Sequence, residues 1–404
     1  MEKMKTVCLL ICMLLACSEA AKILVVFPMP SKSHANLGNG YVRHLLKAGH
    51  EVTYITPYAY KNAPPSLRTI DVSSNIALVP EDMLSLKGIM EEGSFEISPN
   101  FMTFFMIELV KNTVENEGVQ KLLNDPKEQF DAVVVEWLYG DIFAGFASVF
   151  QSPLIWSSSM DPHWLVLQLI DEPLNPAYAV DSMSPYFPPL SFLQRVNELW
   201  TQLKVQFLRY VWLDSVEEKV FTSLFTPIAE KRGIKLPTYK ESRYNASLIL
   251  SNAYVTTSGG ASLPQSHKFI GGYHIDDVVI PLPERVDLSY KMPDELKKKI
   301  VEVTSNKRYA NKAKQLSFIH HDRPVKPGQE LVHWVNHVIN TRGAPHLRSP
   351  ALDLPFYKRK FLDLAALIAV LLLAVYVLLK KACAYICSQV CSKKGKAGSK
   401  KKNN

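Results

Sequence analysis

In this 404-residue chain, one histidine and two carboxylates are candidates for proton-transfer chemistry. His34 lies in the segment FPMPSKSHANLGNG, directly after a short β-branched run, KILVVF. Histidine exchanges a proton near neutral pH, and the loop that leaves the first strand of a parallel sheet lies at the edge where ligands bind. Glu136 lies in the apolar run FDAVVVEWL and Asp141 follows it, so either carboxylate could reach that loop. Asp141 could also be a helix cap.

Strands and helices must bring these side chains together. Alternating and near-continuous apolar runs predict strands, and apolar residues at helical spacing predict helices. These patterns predict strands at residues 22–27, 51–56, 130–138 and 153–156, and helices at 36–49 and 101–123. Apolar strands that alternate with helices predict an α/β fold with a parallel, doubly wound sheet.

Two further patterns resemble binding motifs but lack essential residues. Gly38-Asn39-Gly40 is not a dinucleotide fingerprint, because Arg43 stands at the third glycine position, and we predict that it loosens a helix start. Four histidines near the C-terminal end suggest a metal site, but neither an H-E-x-x-H glutamate nor paired cysteines accompany them. They are His320, His321, His333 and His337. The sequence therefore predicts neither a resident cofactor nor a metal.

Residues 190–234 form a helical stretch in which aromatic residues are interleaved with charged ones. The simplest interpretation is that these aromatics pack in the core. The alternatives are a wall of an apolar ligand pocket and a face that leans on a membrane. The aromatic residues are Phe192, Trp200, Phe207, Tyr210, Trp212 and Phe221.

The formal net charge of +8 comes from the C-terminal tail. Eight lysines lie between Lys380 and Lys402 with no acidic residue among them, which leaves 8 − 8 = 0 for the chain upstream. A solvated basic tail beside a membrane accounts for this charge better than a nucleic-acid-binding face does. We therefore predict no nucleic-acid partner.

Both ends of the chain carry targeting patterns. Residues 1–20 have the lysine, apolar and small-residue order of a secretory signal. Residues 361–380 are long and apolar enough to form a transmembrane helix, and residues 381–404 form a lysine-rich tail. The basic tail places the body in the lumen and the tail in the cytoplasm. The cysteines agree with this topology, because all six lie in the signal or the tail.

Two short motifs can be interpreted with this predicted topology. Asn245-Ala246-Ser247 is an N-glycosylation sequon, which would be used in the lumen. Lys401 and Lys402 stand fourth and third from the C-terminus, and they resemble the dilysine retrieval signal of type I endoplasmic-reticulum proteins. We therefore predict a single-pass type I protein of the endoplasmic-reticulum membrane.

The chain resembles the membrane-bound UDP-glucuronosyltransferase type of insect UDP-glycosyltransferase. The resemblance is carried by FPMPSKSHANLGNGYVRHLLKAGHEVTYITPY, FDAVVVEWLYGD, SPLIWSSS, GGYHIDDVVIPLP, SFIHHDRPVKPGQELVHWVNHV and RGAPHLRSPALDLPFY. It implies a GT-B fold, in which an acceptor-binding and a donor-binding Rossmann-like domain face each other. It also implies inverting transfer of a sugar from a UDP-sugar co-substrate to a small lipophilic hydroxyl acceptor.

The same resemblance suggests roles for the three residues introduced first. His34 stands where the family has its catalytic base, which takes the acceptor's proton. The family's orienting aspartate falls on Glu136 by strand register, so this role stays open between Glu136 and Asp141.

The chain departs from the family where the donor domain should begin. Residues 284–292, nine in all, separate Pro283 from Pro293, whereas one βαβ unit needs about 30 residues. We therefore predict an acceptor-binding domain at 21–270, a linker at 271–284, and at 285–357 a donor-domain remnant that is mainly helical and lacks the UDP-binding segment. The chain is then either a glycosyltransferase that is inactive in this form or a catalytically dead membrane partner. In either case it could form a homo- or hetero-oligomer with full-length relatives.

Overall fold

The computed structural model describes residues 20–79, 99–171, 173, 175–180, 184–254, 262–275 and 294–399. The chain divides into two compact units, Met1–Ser349 and Pro350–Asn404. Three predicted features lie outside the described residues: the body of the signal, the junction at Pro283, and the terminal pair Lys401 and Lys402.

Among the described residues, the first unit is built on a parallel sheet of seven strands. The strands are β1 (Lys22–Val26), β2 (Glu51–Thr56), β3 (Leu67–Asp71), β4 (Ala132–Trp137), β5 (Leu154–Ser158), β6 (Ala246–Ser251) and β7 (His267–Phe269). Their spatial order is β3-β2-β1-β4-β5-β6-β7, so the order reverses between β1 and β4. This arrangement confirms the predicted Rossmann-like, doubly wound sheet.

Helices cover both faces of the sheet. Those between the strands are α1 (Lys32–Lys47), α2 (Pro99–Glu115), α3 (Glu117–Asn124), α4 (Gly145–Phe150), α5 (Trp164–Leu167), α6 (Phe192–Leu208), α7 (Asp214–Arg232) and α8 (Tyr239–Arg243). A π-helical segment, Arg209–Leu213, joins α6 to α7, and 3-10 turns lie at Ser73–Leu78 and Ile142–Ala144. After the strands come α9 (Asp294–Ser305), α10 (Lys307–His321), α11 (Pro327–Asn340) and a 3-10 turn at Pro345–Leu347.

The predicted single helix at 101–123 is two helices in the structure. The Asn116 side chain accepts hydrogen bonds from the backbone N–H groups of Gly118 (2.9 Å) and Val119 (3.3 Å). It therefore caps the start of α3 and ends the continuous run. The apolar periodicity continues across this break because both helices pack on the same face of the sheet.

The two faces of the sheet carry separate apolar cores because successive strand residues point to opposite sides. Leu24 and Val26 of β1 pack with α2, α3, α4 and α7. Ile23 and Val25 pack on the other side with α1 and α11. In α11 the buried apolar side chains are those of Leu331, Val335 and Val338.

Helix α11 packs against the first sheet, although we predicted these two segments in different domains. Helix α11 lies within the predicted donor-domain remnant, residues 285–357, yet its apolar side completes the core of the first sheet. Among the described residues of that remnant there is no strand. The described part of residues 285–357 is therefore helical, and α11 belongs to the first unit.

The aromatic residues of α6 and of the π segment after it do not pack in the core as the simplest interpretation predicts. Trp200 is 63% exposed and Phe207 64% exposed, and Phe192, Tyr210 and Trp212 are also exposed. Of the six aromatics that we singled out, Phe221 in α7 is the one that the core buries. Core packing is therefore wrong for the other five.

The second unit contains a 3-10 turn (Pro350–Asp353), α12 (Phe356–Arg359) and the long helix α13 (Leu362–Ser399). Within α13, the 26 residues Leu362–Cys387 are long and apolar enough to cross a membrane. No other helix among the described residues meets that description. The segment contains nearly all of the predicted span at 361–380.

Candidate active site

The candidate site lies between β1 and β4, where the strand order reverses. His34 is the third residue of α1, which follows β1, and Glu136 is the fifth residue of β4. Because β1 and β4 are adjacent parallel strands, both residues lie at the carboxyl edge of the sheet. Ligands bind at such a switch point in doubly wound folds because the loops diverge there and leave a crevice.

His34 and Glu136 contact each other directly. The Nδ1–H of His34 donates a hydrogen bond to Oε1 of Glu136. When His34 is protonated, the two side chains form an ion pair. The Glu136 side chain is 2% exposed and that of His34 is 17% exposed. Since Nδ1 is held by the carboxylate, Nε2 is the ring nitrogen that remains to exchange a proton with a ligand.

The electrostatics of this pair favour the imidazolium form. Burial is the largest single influence on the pKa of His34 and lowers it. The charge of Glu136 and its hydrogen bond together outweigh burial, so the pKa of His34 is raised above 6.5. A proton taken up by this imidazole is therefore stabilised by the carboxylate behind it.

Three buried tyrosines lie close enough to Glu136 for its charge to act on them. Burial raises the pKa of the phenols of Tyr41, Tyr54 and Tyr273, and the negative charge of Glu136 raises each of them further. These phenols therefore stay protonated. Tyr41 lies seven residues after His34, on the same side of α1, so helical spacing alone could have indicated its position.

Asp141 does not contact His34 but belongs to a second, buried cluster. Its carboxylate accepts hydrogen bonds from Trp137 Nε1 (2.8 Å) and Arg209 Nη2 (3.0 Å), and Arg243 Nε lies 3.2 Å away. The side chain does not cap the helix that follows. Of the two carboxylates that the sequence left open, the structure thus brings Glu136 to the histidine.

The second cluster was not apparent from the sequence, because its members come from distant segments. Arg209 also contacts Glu217 Oε2 at 3.0 Å, and the Tyr239 hydroxyl donates to that same oxygen at 2.8 Å. Burial raises the pKa of Glu217, although Arg209 opposes that shift. The cluster joins the π segment and the start of α7 to α8 and to the loop after β4, where Asp141 lies.

The two glycines of α1 allow close packing, which corrects our prediction that they loosen a helix start. Both lie inside a continuous helix. A Cβ atom on Gly38 would stand 2.2 Å from the hydroxyl of Tyr54, and one on Gly40 would stand 2.9 Å from Cα of His274. Glycine therefore lets α1 approach both β2 and the segment after β7, which brings His34 near Glu136.

The four C-terminal histidines lie as two pairs, one on α10 and one on α11. His320 accepts a hydrogen bond from Arg323 at 2.9 Å, and His321 Nδ1 donates to the Ser317 carbonyl at 2.7 Å. The ring of His333 stacks on His337 with centroids 6.1 Å apart. No group of three or more potential metal ligands is present in the part of the chain that the structure describes.

Asn245 is exposed and directly precedes β6, where an oligosaccharide would have access to its side chain. The Ser247 side chain of the same sequon is buried in the first residues of that strand. Use of the sequon would therefore precede completion of β6, or require modest fraying of its start. Glycosylation at Asn245 stays a prediction.

Comparison with known proteins gives matches in both halves of the chain. Residues 284–397 match the family model described as "UDP-glucoronosyl and UDP-glucosyl transferase". The ecdysteroid UDP-glucosyltransferase of Spodoptera littoralis nuclear polyhedrosis virus is 24% identical over 288 residues, which cover 67% of this chain and 53% of that protein. UDP-glucosyltransferase 2 of Dactylopius coccus is 27% identical over 274 residues, which cover 67% of this chain and 50% of that protein.

A shorter match with higher identity involves a mammalian protein. UDP-glucuronosyltransferase 1A8 of Rattus norvegicus is 37% identical over 103 residues, 26% of this chain and 19% of that protein. Among solved structures, the calicheamicin glycosyltransferase CalG4 overlaps with a TM-score of 0.34 at 14% identity, over 63% of this chain and 53% of that one. The chain spans about half the length of the first two relatives. By the family model at residues 284–397 and by these relatives, the chain is similar to UDP-glycosyltransferases over part of its length.

Proposed function

We propose that this chain carries the acceptor-activating half of a UDP-glycosyltransferase, with His34 as general base and Glu136 as the residue that orients it. The observation that carries the proposal is the direct His34–Glu136 contact at the switch point of the sheet. A histidine whose one nitrogen is held by a buried carboxylate presents its other nitrogen in a fixed direction, as a positioned base requires.

The chemical step assigned to these residues is deprotonation of an acceptor hydroxyl. Nε2 of His34 takes the proton, and the acceptor oxygen forms a bond to the anomeric carbon of the donor sugar. The bond between that carbon and the UDP oxygen breaks, and UDP leaves with the electron pair, so the anomeric centre inverts. Glu136 stabilises the imidazolium through Nδ1–H. The acceptors proposed are small lipophilic hydroxyl compounds, and the donor is UDP-glucose or UDP-glucuronate, since relatives are named for both sugars.

We further propose that the chain alone transfers no sugar at a useful rate. A base at His34 accepts a proton, but departure of UDP requires groups that position it and stabilise its diphosphate charge. The nine residues 284–292 are too few for a nucleotide-binding βαβ unit of about 30 residues. The described segment after them begins with helices, and residues 297–305 of α9 and most of α10 are exposed.

A second candidate function is a catalytically dead partner of full-length relatives in the endoplasmic-reticulum membrane. Exposed apolar residues on the α9–α10 hairpin favour this alternative, because an uncovered apolar surface promotes association. They include Val301 (56% exposed), Val303 (50%) and Phe318 (70%). Calorimetric titration of UDP against the purified chain tests whether the chain acts as an enzyme by itself, since an enzyme must bind UDP and a chain without a donor site should not.

The proton-transfer role is tested in a chimera that restores a donor domain between Pro283 and Val286. His34→Ala should lower transfer by about 10²-fold or more. His321→Ala is the matched control, because this histidine is exposed on α10 and bonds to the backbone of its own helix. Activity of His34→Ala within a few-fold of the parent chimera would remove His34 from the mechanism. Turnover by the unmodified chain that disappears in His34→Ala would show that the missing segment is dispensable.

The proposed location is the endoplasmic-reticulum membrane, in type I orientation. It is supported by the apolar helix Leu362–Cys387 and by the terminal lysine pair in the sequence. Replacing Lys401 and Lys402 with serine should let the protein escape toward the cell surface. Unchanged reticular staining of that variant would contradict retrieval by these lysines.

A further inference from the structure

The carboxylate of Glu136 is bound at one of its two oxygens. Oε1 accepts the hydrogen bond from His34, whereas Oε2 is buried and has no hydrogen-bond partner among the described residues. A buried charged oxygen without a donor is costly. A carboxylate that is held at one oxygen can also turn about its last side-chain bond, because that torsion is broad. A donor at Oε2 would therefore both stabilise the charge and fix the direction of the group.

The sheet places a hydroxyl beside this oxygen. Strands β4 and β5 are adjacent and parallel, and their register pairs Glu136 with Ser157. Val134 and Ile155, two residues earlier on each strand, belong to the same core, so Glu136 and Ser157 point to the same face of the sheet. Neighbouring strands lie about 4.8 Å apart, and both side chains are buried. Ser157 is thus within reach of Oε2 by strand register.

Two buried phenols lie on the same face, near Ser157. Tyr41 of α1 and Tyr273, after β7, belong to that core, and their ring centroids are 4.9 Å apart. Burial is the largest influence on the pKa of each phenol and raises it, whereas hydrogen bonding to Ser157 lowers it. The Tyr41 hydroxyl makes no hydrogen bond of ordinary geometry to any described residue. Both phenols therefore stay protonated, as donors beside the serine.

The hydrogen-bonding capacity of a serine fits this arrangement. A hydroxyl group has two acceptor lone pairs and one proton to donate. The phenols of Tyr41 and Tyr273 can supply donors to the two lone pairs. The proton of Ser157 then needs an acceptor, and Oε2 of Glu136 is a charged one on the adjoining strand. Charged acceptors form stronger hydrogen bonds than neutral acceptors do.

We propose that Ser157 is a positioning residue, which donates a hydrogen bond to Oε2 of Glu136 and is itself held by the phenols of Tyr41 and Tyr273. The carboxylate is then fixed at both oxygens, and the His34 ring that it holds keeps one direction. The catalytic value of this arrangement rests on the proposed function. The hydrogen bond itself does not, so it can be tested without turnover.

Loss of the donor should raise the pKa of His34. A hydrogen bond to Oε2 stabilises the lone carboxylate more than the ion pair, in which the imidazolium already balances the charge. Without that bond, proton uptake by the pair becomes more favourable. Ser157→Ala should therefore raise the pKa of His34 by about half a unit or more. The other titratable groups on which Glu136 acts are the phenols of Tyr41, Tyr54 and Tyr273.

NMR titration of the His34 ring in the full-length chain measures this shift, with the signal assigned by its loss in His34→Asn. Ser158→Ala is the matched control, because Ser158 is equally buried on β5 but points to the opposite face, where its hydroxyl donates to the Met160 carbonyl at 3.3 Å. This control should keep the parent pKa, and so should Ser157→Thr, which retains a hydroxyl. A pKa in Ser157→Ala at or below the parent value, or an equal rise in Ser158→Ala, would overturn the proposal.

A second variant keeps the proposal testable if Ser157→Ala fails to fold. Tyr41→Phe keeps the ring that packs on Tyr273 and removes its hydroxyl. It should raise the pKa of His34 in the same direction by a smaller amount, because the Ser157 donor weakens when its own lone pair is unoccupied. An unchanged pKa in Tyr41→Phe would then overturn the proposal.

The donor-restored chimera separates this inference from the proposed function. There the acidic limb of the kcat/KM profile should move to higher pH in Ser157→Ala, since the base must be neutral to take a proton. If His34→Ala left transfer unchanged, the proposed function would fail. The pKa shift in the chain without a donor domain would still decide whether Ser157 holds Glu136.

Discussion

Replacing Glu136 with glutamine should reverse the direction in which the protein shifts the pKa of His34. In the intact pair, burial lowers this pKa, whereas the charge and the hydrogen bond of Glu136 raise it, and the net direction is upward from 6.5. Both raising influences come from one carboxylate. Glu136→Gln removes the charge and leaves burial unopposed, so the pKa of His34 should fall below its ordinary value.

The size of the effect on stability follows from the same contact. A hydrogen bond to a charged group contributes about 1.5–3 kcal/mol, and at 2% and 17% exposure the two side chains are little screened by water. Because the folded-state pKa of His34 is raised, this stabilisation is fully present below the unfolded value of 6.5 and is lost as pH rises through the folded-state pKa. Glu136→Gln should therefore cost about 1.5–3 kcal/mol of unfolding free energy at mildly acidic pH and less at alkaline pH.

Two measurements check this prediction. The NMR signal of the His34 ring, assigned by its disappearance in His34→Asn, reports the pKa in the parent and in Glu136→Gln. Urea unfolding from about pH 5.5 to about pH 9, on either side of the ordinary histidine pKa, gives the coupling free energy from a double-mutant cycle of the two residues. The reasoning would be refuted if His34 in Glu136→Gln titrated at or above the parent value, or if the coupling did not depend on pH.

Three further predictions follow from the rest of the site. Asp141→Asn should cost about 3–5 kcal/mol of unfolding free energy, because it leaves the buried charges of Arg209 and Arg243 with one counter-ion fewer. The pKa of His34 should stay as in the parent. A displaced His34 signal would show that the two clusters are coupled. Gly40→Ala should destabilise by about 1–3 kcal/mol through overpacking, since its Cβ would meet backbone of His274 at 2.9 Å, and an unchanged urea midpoint would contradict this. Asn245→Gln should remove one glycan and increase gel mobility in membrane-expressed protein, and identical mobility with and without deglycosylation would argue against the lumenal topology.

The local parts of the fold could be predicted from the sequence because they depend on short-range patterns. The β-branched run at β1 and the apolar run at β4 specify strands, and the helix between β1 and β2 implies a parallel crossover. Position alone then placed His34 and Glu136 at one edge of the sheet. Sequence patterns could not choose between Glu136 and Asp141, since five residues of separation allow either carboxylate to reach the loop.

Which of the two carboxylates contacts His34 depends on the tertiary structure, because a buried charge needs counter-ions nearby. Asp141 lies where Arg209, 68 residues later, and Arg243, 102 residues later, supply its counter-ions, so it is not available to the histidine. The same long-range pairing turns Arg209 inward and directs the aromatic residues of α6 outward, although their spacing is that of an ordinary core helix. Apolar periodicity determines that a helix has an apolar side, but the contacts on its other side determine which way that side faces.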